Sequence, residues 1–207
     1  TSGSIELGSL VKFEDDGPAV SAFSTKTVTV AVDESVGTDG STKDEPGLAL
    51  NNDETNSAAT DIGYTKVLGS NLFNLTVDAG SDGENTSARD YNLTLAWDGT
   101  NAVDSGLDAT AGGNILLSQE ALTGDIVGKV GSTEIFRIHM DSATGDVTVS
   151  QYAAIEHTDT DNNHDSFVSM DSGLVGAQVT VYDNDGDSAT SGSIELGSLV
   201  KFEDDGP

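Results

Sequence analysis

The first eighteen residues, Thr1 to Pro18, recur unchanged as the last eighteen, Thr190 to Pro207, at an offset of 189 residues. Composition alone does not produce a match of that length, so the chain reads as one full period of a tandem array plus the beginning of the next. Periods of roughly 20 to 50 residues stack as small units, whereas 189 residues can hold a complete domain with its own core. Residues 1–17 are then expected to be the last strand and linker of a preceding repeat, 18–203 one domain, and 204–207 the linker to the following repeat. One domain has a single place for the duplicated strand. The downstream copy, Ser193 to Phe202, is expected to be integrated, while Ser4 to Phe13 projects or adds to an exposed edge.

Within that period, apolar side chains alternate with polar ones and helical periodicity is nearly absent. Val28, Val30 and Val32 share one face, as do Phe73, Leu75 and Val77, then Tyr91, Leu93, Leu95 and Trp97, then Phe136, Ile138 and Met140, then Val147 and Val149, and finally Val179 and Val181. Clusters of Asp, Gly, Asn and Ser separate these runs, at 78–85, 98–108, 141–146 and 183–188. Many short, half-buried strands with such punctuation predict an all-β fold, an antiparallel β-sandwich that is immunoglobulin-like with insertions. The polar stretch from Thr38 to Ile62 reads as a long surface loop, and a helical turn is conceivable at Ser118 to Leu122 or Gln151 to Glu156. Trp97 is expected in the core beside Leu93 and Leu95.

Thirty-six acidic residues against eight Lys and Arg give a formal charge of -28. So negative a chain repels nucleic acid and anionic membranes, and no apolar run reaches the roughly 20 residues that span a bilayer. Cations are the partners it attracts. There is no cysteine, so neither disulfides nor thiolate metal sites can supply rigidity. Calcium, which takes about six to eight oxygen ligands, suits Asp-rich turns.

The strand order brings two acidic groups to each end of the domain. At one end the turn carrying Asp183, Asp185 and Asp187 faces the upstream linker of Glu14, Asp15 and Asp16. At the other, Asp33 and Glu34 end the first predicted strand near Glu203, Asp204 and Asp205. Both groups are candidate calcium ligands. Alternate acids also occur in Asp159, Asp161, Asn163 and Asp165, but without the glycine and closing glutamate of a calcium-binding loop this stretch reads as a solvated loop.

The run Val181-Tyr-Asp-Asn-Asp-Gly-Asp-Ser-Ala-Thr190, followed by a strand and then Val200-Lys-Phe-Glu-Asp-Asp-Gly-Pro207, resembles the close of an extender repeat in the long RTX adhesins of Gram-negative bacteria. Val32-Asp-Glu-Ser35, Thr144-Gly-Asp-Val-Thr148 and Ala154-Ile-Glu-His157 agree with it. The resemblance implies a repeat secreted by a type I system that folds outside the cell on binding calcium. It would serve at the bacterial surface as part of a stalk holding a ligand-binding tip, in attachment and biofilm formation. Its partners would be neighbouring identical repeats, and as an isolated fragment it would be a monomer. The family's glycine-rich nonapeptides are absent, which favours a stalk unit.

Catalytic signatures are lacking. Histidines occur only at 139, 157 and 164, and His139 is expected on the solvated face of its strand. There is no His-Glu-x-x-His pair and no nucleophile elbow, and Gly124 to Lys129 misses a phosphate loop because Val130 stands where Ser or Thr is needed. The alternative to a stalk module is a calcium-dependent module of the same adhesin that binds carbohydrate or protein.

Overall fold

A computed structural model describes residues 8–34, 61–96, 102–157 and 166–204. Trp97, the predicted loop of Asp159, Asp161, Asn163 and Asp165, and Asp205 lie outside the described residues, as does all of Thr38 to Ile62 except its last two positions. In chain order the strands are β1 (Ala19–Thr25), β2 (Val30–Asp33), β3 (Gly63–Val67), β4 (Phe73–Asp78) and β5 (Asp90–Leu95). They continue as β6 (Val103–Asp108), β7 (Asn114–Gln119), β8 (Ile126–Val130), β9 (Thr133–Met140) and β10 (Val147–Gln151). The last are β11 (Phe167–Val168), β12 (Val175–Tyr182), β13 (Ser188–Thr190), β14 (Ile194–Glu195) and β15 (Val200–Glu203).

The protein is mostly β, with antiparallel sheets and one short helix, Gly69–Leu72, among the described residues. The largest sheet has six strands in the order β3-β10-β9-β8-β7-β6. A second layer is built on β12, which pairs along one edge with β5 and along the other with β13 and then β14. β1 pairs with β4, and a three-stranded sheet runs β11-β15-β2. Period-two burial holds in β4, β10 and β12. Val147, Val149 and Gln151 of β10 turn inward, as do Ala177, Val179 and Val181 of β12. One core joins these layers, with the Phe136 and Phe202 ring centroids 4.9 Å apart.

Several local expectations differ. β2 is buried along its whole length, not on alternate residues, because β15 covers its edge and the large sheet packs on its face. The β2–β15 pair is also parallel, an exception within otherwise antiparallel sheets. A strand not anticipated, β1, precedes β2. No helix forms at either expected place: Ser118 and Gln119 belong to β7, the residues after them close a single turn with the Gly124 N–H bonded to the Glu120 carbonyl at 2.9 Å, and Gln151 closes β10 with its side chain fully buried. The helix forms instead at Gly69, where a Cβ would stand 2.2 Å from the Thr144 carbonyl oxygen, so only glycine fits.

The predicted closing strand is broken in two. Gly176 has no side chain, so Thr94 and Ser193 meet above it with their hydroxyls 2.6 Å apart, and β14 ends two residues later. A 3₁₀ turn at Gly197–Leu199, whose Ser198 N–H is capped by Glu195 Oε1 at 2.9 Å, then carries the chain across to β15 in the other sheet. The upstream copy forms the same turn at Gly8–Leu10 but no strand after it. Val11 and Phe13 are 58% and 94% exposed, whereas their equivalents Val200 and Phe202 are fully buried.

Candidate metal centre

β12 and β13 are joined by residues 183–187, and the sequence Asp-Asn-Asp-Gly-Asp dictates the turn. Asp183 Oδ1 accepts hydrogen bonds from the N–H groups of Gly186 (2.9 Å) and Asp187 (2.7 Å), while its own N–H donates to the Asp187 carbonyl at 3.0 Å. Gly186 adopts φ of 108°, a conformation that side chains resist. These bonds hold one side of the Asp183 carboxylate. The other oxygen, Oδ2, is buried with no hydrogen-bond donor, in a residue only 2% exposed.

A second loop docks beside this turn. Glu84 forms a β-bridge with Asp183, and Asn184 donates through its backbone N–H to the Gly83 carbonyl (3.1 Å) and through Nδ2 to that of Asp82 (2.8 Å). Residues 15–17 complete the arrangement. Asp16 packs against Gly80, where a Cβ would approach its carbonyl oxygen to 2.7 Å, and Gly17 lies against Asp187.

Two carboxylate triads result, Asp15–Asp82–Asp185 and Asp183–Asp185–Asp187, each with ligand oxygens within 4.8 Å of one another. Asp185 belongs to both. A calcium ion held at about 2.4 Å from each oxygen fits ligand pairs up to about 4.8 Å apart, so the spacing is one that could admit a shared cation. The electrostatics agree. The neighbouring Asp183 carboxyl, then burial, then the charges of Asp15, Asp183 and Asp82 push Asp185 up to about 6. Hydrogen bonding and charge from Asp15 chiefly raise Asp187 as well. For Asp183 burial acts upward, but hydrogen bonds from Asp185 and from the N–H groups of the turn prevail and keep it below its ordinary value. The cluster thus favours a bound positive charge, whether a proton or a cation.

Of the residues singled out at this end, the structure gathers Asp15, Asp183, Asp185 and Asp187. Glu14 and Asp16 are exposed beside them and join neither triad. Asp82 is a member that the sequence reading passed over. Its Ser-Asp-Gly turn carries the same signal as Asp-Gly-Asp, yet from sequence it reads as punctuation between strands.

At the opposite end, Asp33 and Glu203 face each other in the β2–β15 register and are buried. Glu34 is buried too, its Oε1 accepting from Gln151 Nε2 and from the Ile155 N–H, each at 2.7 Å, with His157 Nε2 at 3.7 Å. The Asp204 N–H donates to the Ser166 carbonyl at 3.2 Å. Among the described residues these acids form no group of three within ligand reach. His139 is half exposed but not merely solvated. Its Nδ1 lies 2.7 Å from Asp125, which also receives Arg137 at 2.8 Å.

No curated protein and no solved structure matches the chain. A family described as "Domain of unknown function (DUF5801)" matches residues 29–197, from the start of β2 to the turn before β15. That stretch contains the Asp183 turn and the Asp82 loop and covers most of the sequence. The chain belongs to the DUF5801 family.

Proposed function

We propose that this is a non-catalytic, calcium-binding extender module of a long secreted adhesin, one of many tandem copies that hold a distal ligand-binding region away from the bacterial surface. The observation that carries the reading is the meeting of five aspartates from three chain segments, Asp185 among them, with a buried Asp183 oxygen that no N–H or hydroxyl group reaches. One segment is the linker to the preceding repeat. Calcium bound there would tie the linker to the domain and remove its rotational freedom, which keeps an array extended. The fold is read as an immunoglobulin-like sandwich, supported by two layers that share one core.

Calorimetric titration with calcium tests the proposal. The wild-type chain should bind, and replacing Asp183, Asp185 and Asp187 together by Asn should lower affinity at least about tenfold while leaving the calcium-free protein no less stable. Unchanged stoichiometry and affinity would move the ion elsewhere or remove it. The alternative, a module that binds carbohydrate or protein through calcium, gains ground if the isolated chain binds a glycan array or cell surfaces.

A further inference from the structure

We propose that the acidic cluster takes two calcium ions bridged by Asp185, and that they fill in order: the first completes the 183–187 turn, and the second fastens the segment carrying Asp15 to the domain. The inference rests on the calcium reading above and adds how that site is used. The five carboxylates fall into two groups within ligand reach, Asp183–Asp185–Asp187 and Asp15–Asp82–Asp185, with only Asp185 in common. A single ion cannot draw on both groups, because the oxygens of one shell lie within about 4.8 Å of one another. A carboxylate has two oxygens, so Asp185 can serve a different ion with each. Five negative charges also exceed what one divalent ion offsets, and a second ion removes most of the remainder.

The order follows from how much of each group is fixed before an ion arrives. The first group lies within one five-residue turn, where the N–H groups of Gly186 and Asp187 hold Asp183 Oδ1 and leave the buried Oδ2 without an N–H or hydroxyl partner. The second group comes from three segments, and all its members are exposed. Two of these segments are already joined. Arg89 grips Glu84 with two bonds, at 2.6 and 2.9 Å, Glu84 bridges to Asp183, and Asn184 bonds the carbonyls of Gly83 and Asp82. Asp15 is the member that the second ion must still order. That ion also meets the repulsion of the first, so it binds more weakly. At calcium levels between the two affinities, the domain is stabilised while the segment carrying Asp15 stays loose; above both, segment and domain move as one body. Calcium concentration thus sets stiffness separately from stability.

The test titrates the full chain with calcium by calorimetry. Asp185→Asn should cost two ions, whereas Asp82→Asn should cost one, the weaker, and leave the tighter step unchanged within about twofold. Asp183→Asn should weaken the tighter step at least about tenfold. The chain has no cysteine, so spin labels at Glu14→Cys and Ser87→Cys, both exposed positions, report the distance from the segment to the domain. Their distance distribution should narrow only as the second ion binds. In Asp82→Asn it should stay broad, although the thermal midpoint of that variant still rises in calcium. If Asp82→Asn and Asp185→Asn remove the same single ion, or narrowing does not follow the second ion, the two-ion order is overturned and the calcium reading stands. If none of these variants changes calcium binding, both fall.

Discussion

At the scale of single residues, Asp185 sets how the acidic cluster responds to pH. Its carboxyl is raised to about 6, above its ordinary value of 3.8, so the folded chain holds this proton more tightly than the unfolded chain does. The stability from that proton is fully present below pH 3.8 and is lost as pH rises through about 6. Calcium bound at this cluster would compete for the same oxygens, so its affinity should climb as pH rises through about 6 and level off above it. Calcium titrations at several pH values check this, and the Asp185→Asn variant should flatten the profile. The members of the cluster differ in how far the sequence revealed them. Asp183, Asp185 and Asp187 are legible because a five-residue turn fixes their mutual positions, and Asp15 follows from chain order. Asp82 arrives through a bond from the Asn184 side-chain amide to its carbonyl, between loops 102 positions apart, which no local pattern encodes.

The repeated segment separates local from tertiary causes at the level of elements. Both copies form the same 3₁₀ turn, at Gly8–Leu10 and Gly197–Leu199, so the turn is a property of the local sequence. Only the downstream copy goes on to form a strand, so β15 owes its existence to β2 and β11. Truncating the two phenylalanines should expose this contrast. Phe202→Ala should cost about 3–5 kcal/mol in denaturant unfolding, the usual loss for a large buried side chain, whereas Phe13→Ala should change stability by less than about 0.5 kcal/mol. Alternation made most strands legible for the same reason that it misread β2. It reports a strand with one wet face, and β2 has none. The break after β14 escaped notice because it is a change of sheet, from β12 to β2 and β11, set by distant partners.

For the whole molecule, a formal charge of -28 works against compactness, and the aspartate triads concentrate that repulsion where three segments must meet. Each bound calcium at a hundredfold excess over its Kd should stabilise the fold by about 2.7 kcal/mol. The thermal midpoint should accordingly rise in millimolar calcium and fall in excess EDTA, and a midpoint indifferent to chelation would refute the calcium reading. Overall architecture was legible at the level of class, since alternation and turn composition specify antiparallel sheets; the pairing of β2 with β15 was not, since it joins strands 170 positions apart. That pairing bears on how the molecule would meet a pulling force. Load passed on beyond the β1–β4 pair reaches β2 from its first residue, and load at Asp204 reaches β15 from its last. Because these strands run the same way, the pull drags one along the other and strains all their hydrogen bonds together, whereas an antiparallel pair loaded at one end would open bond by bond like a zip. The seam between the first buried strand and the last thus has the geometry of a shear joint under tension applied through those two strands.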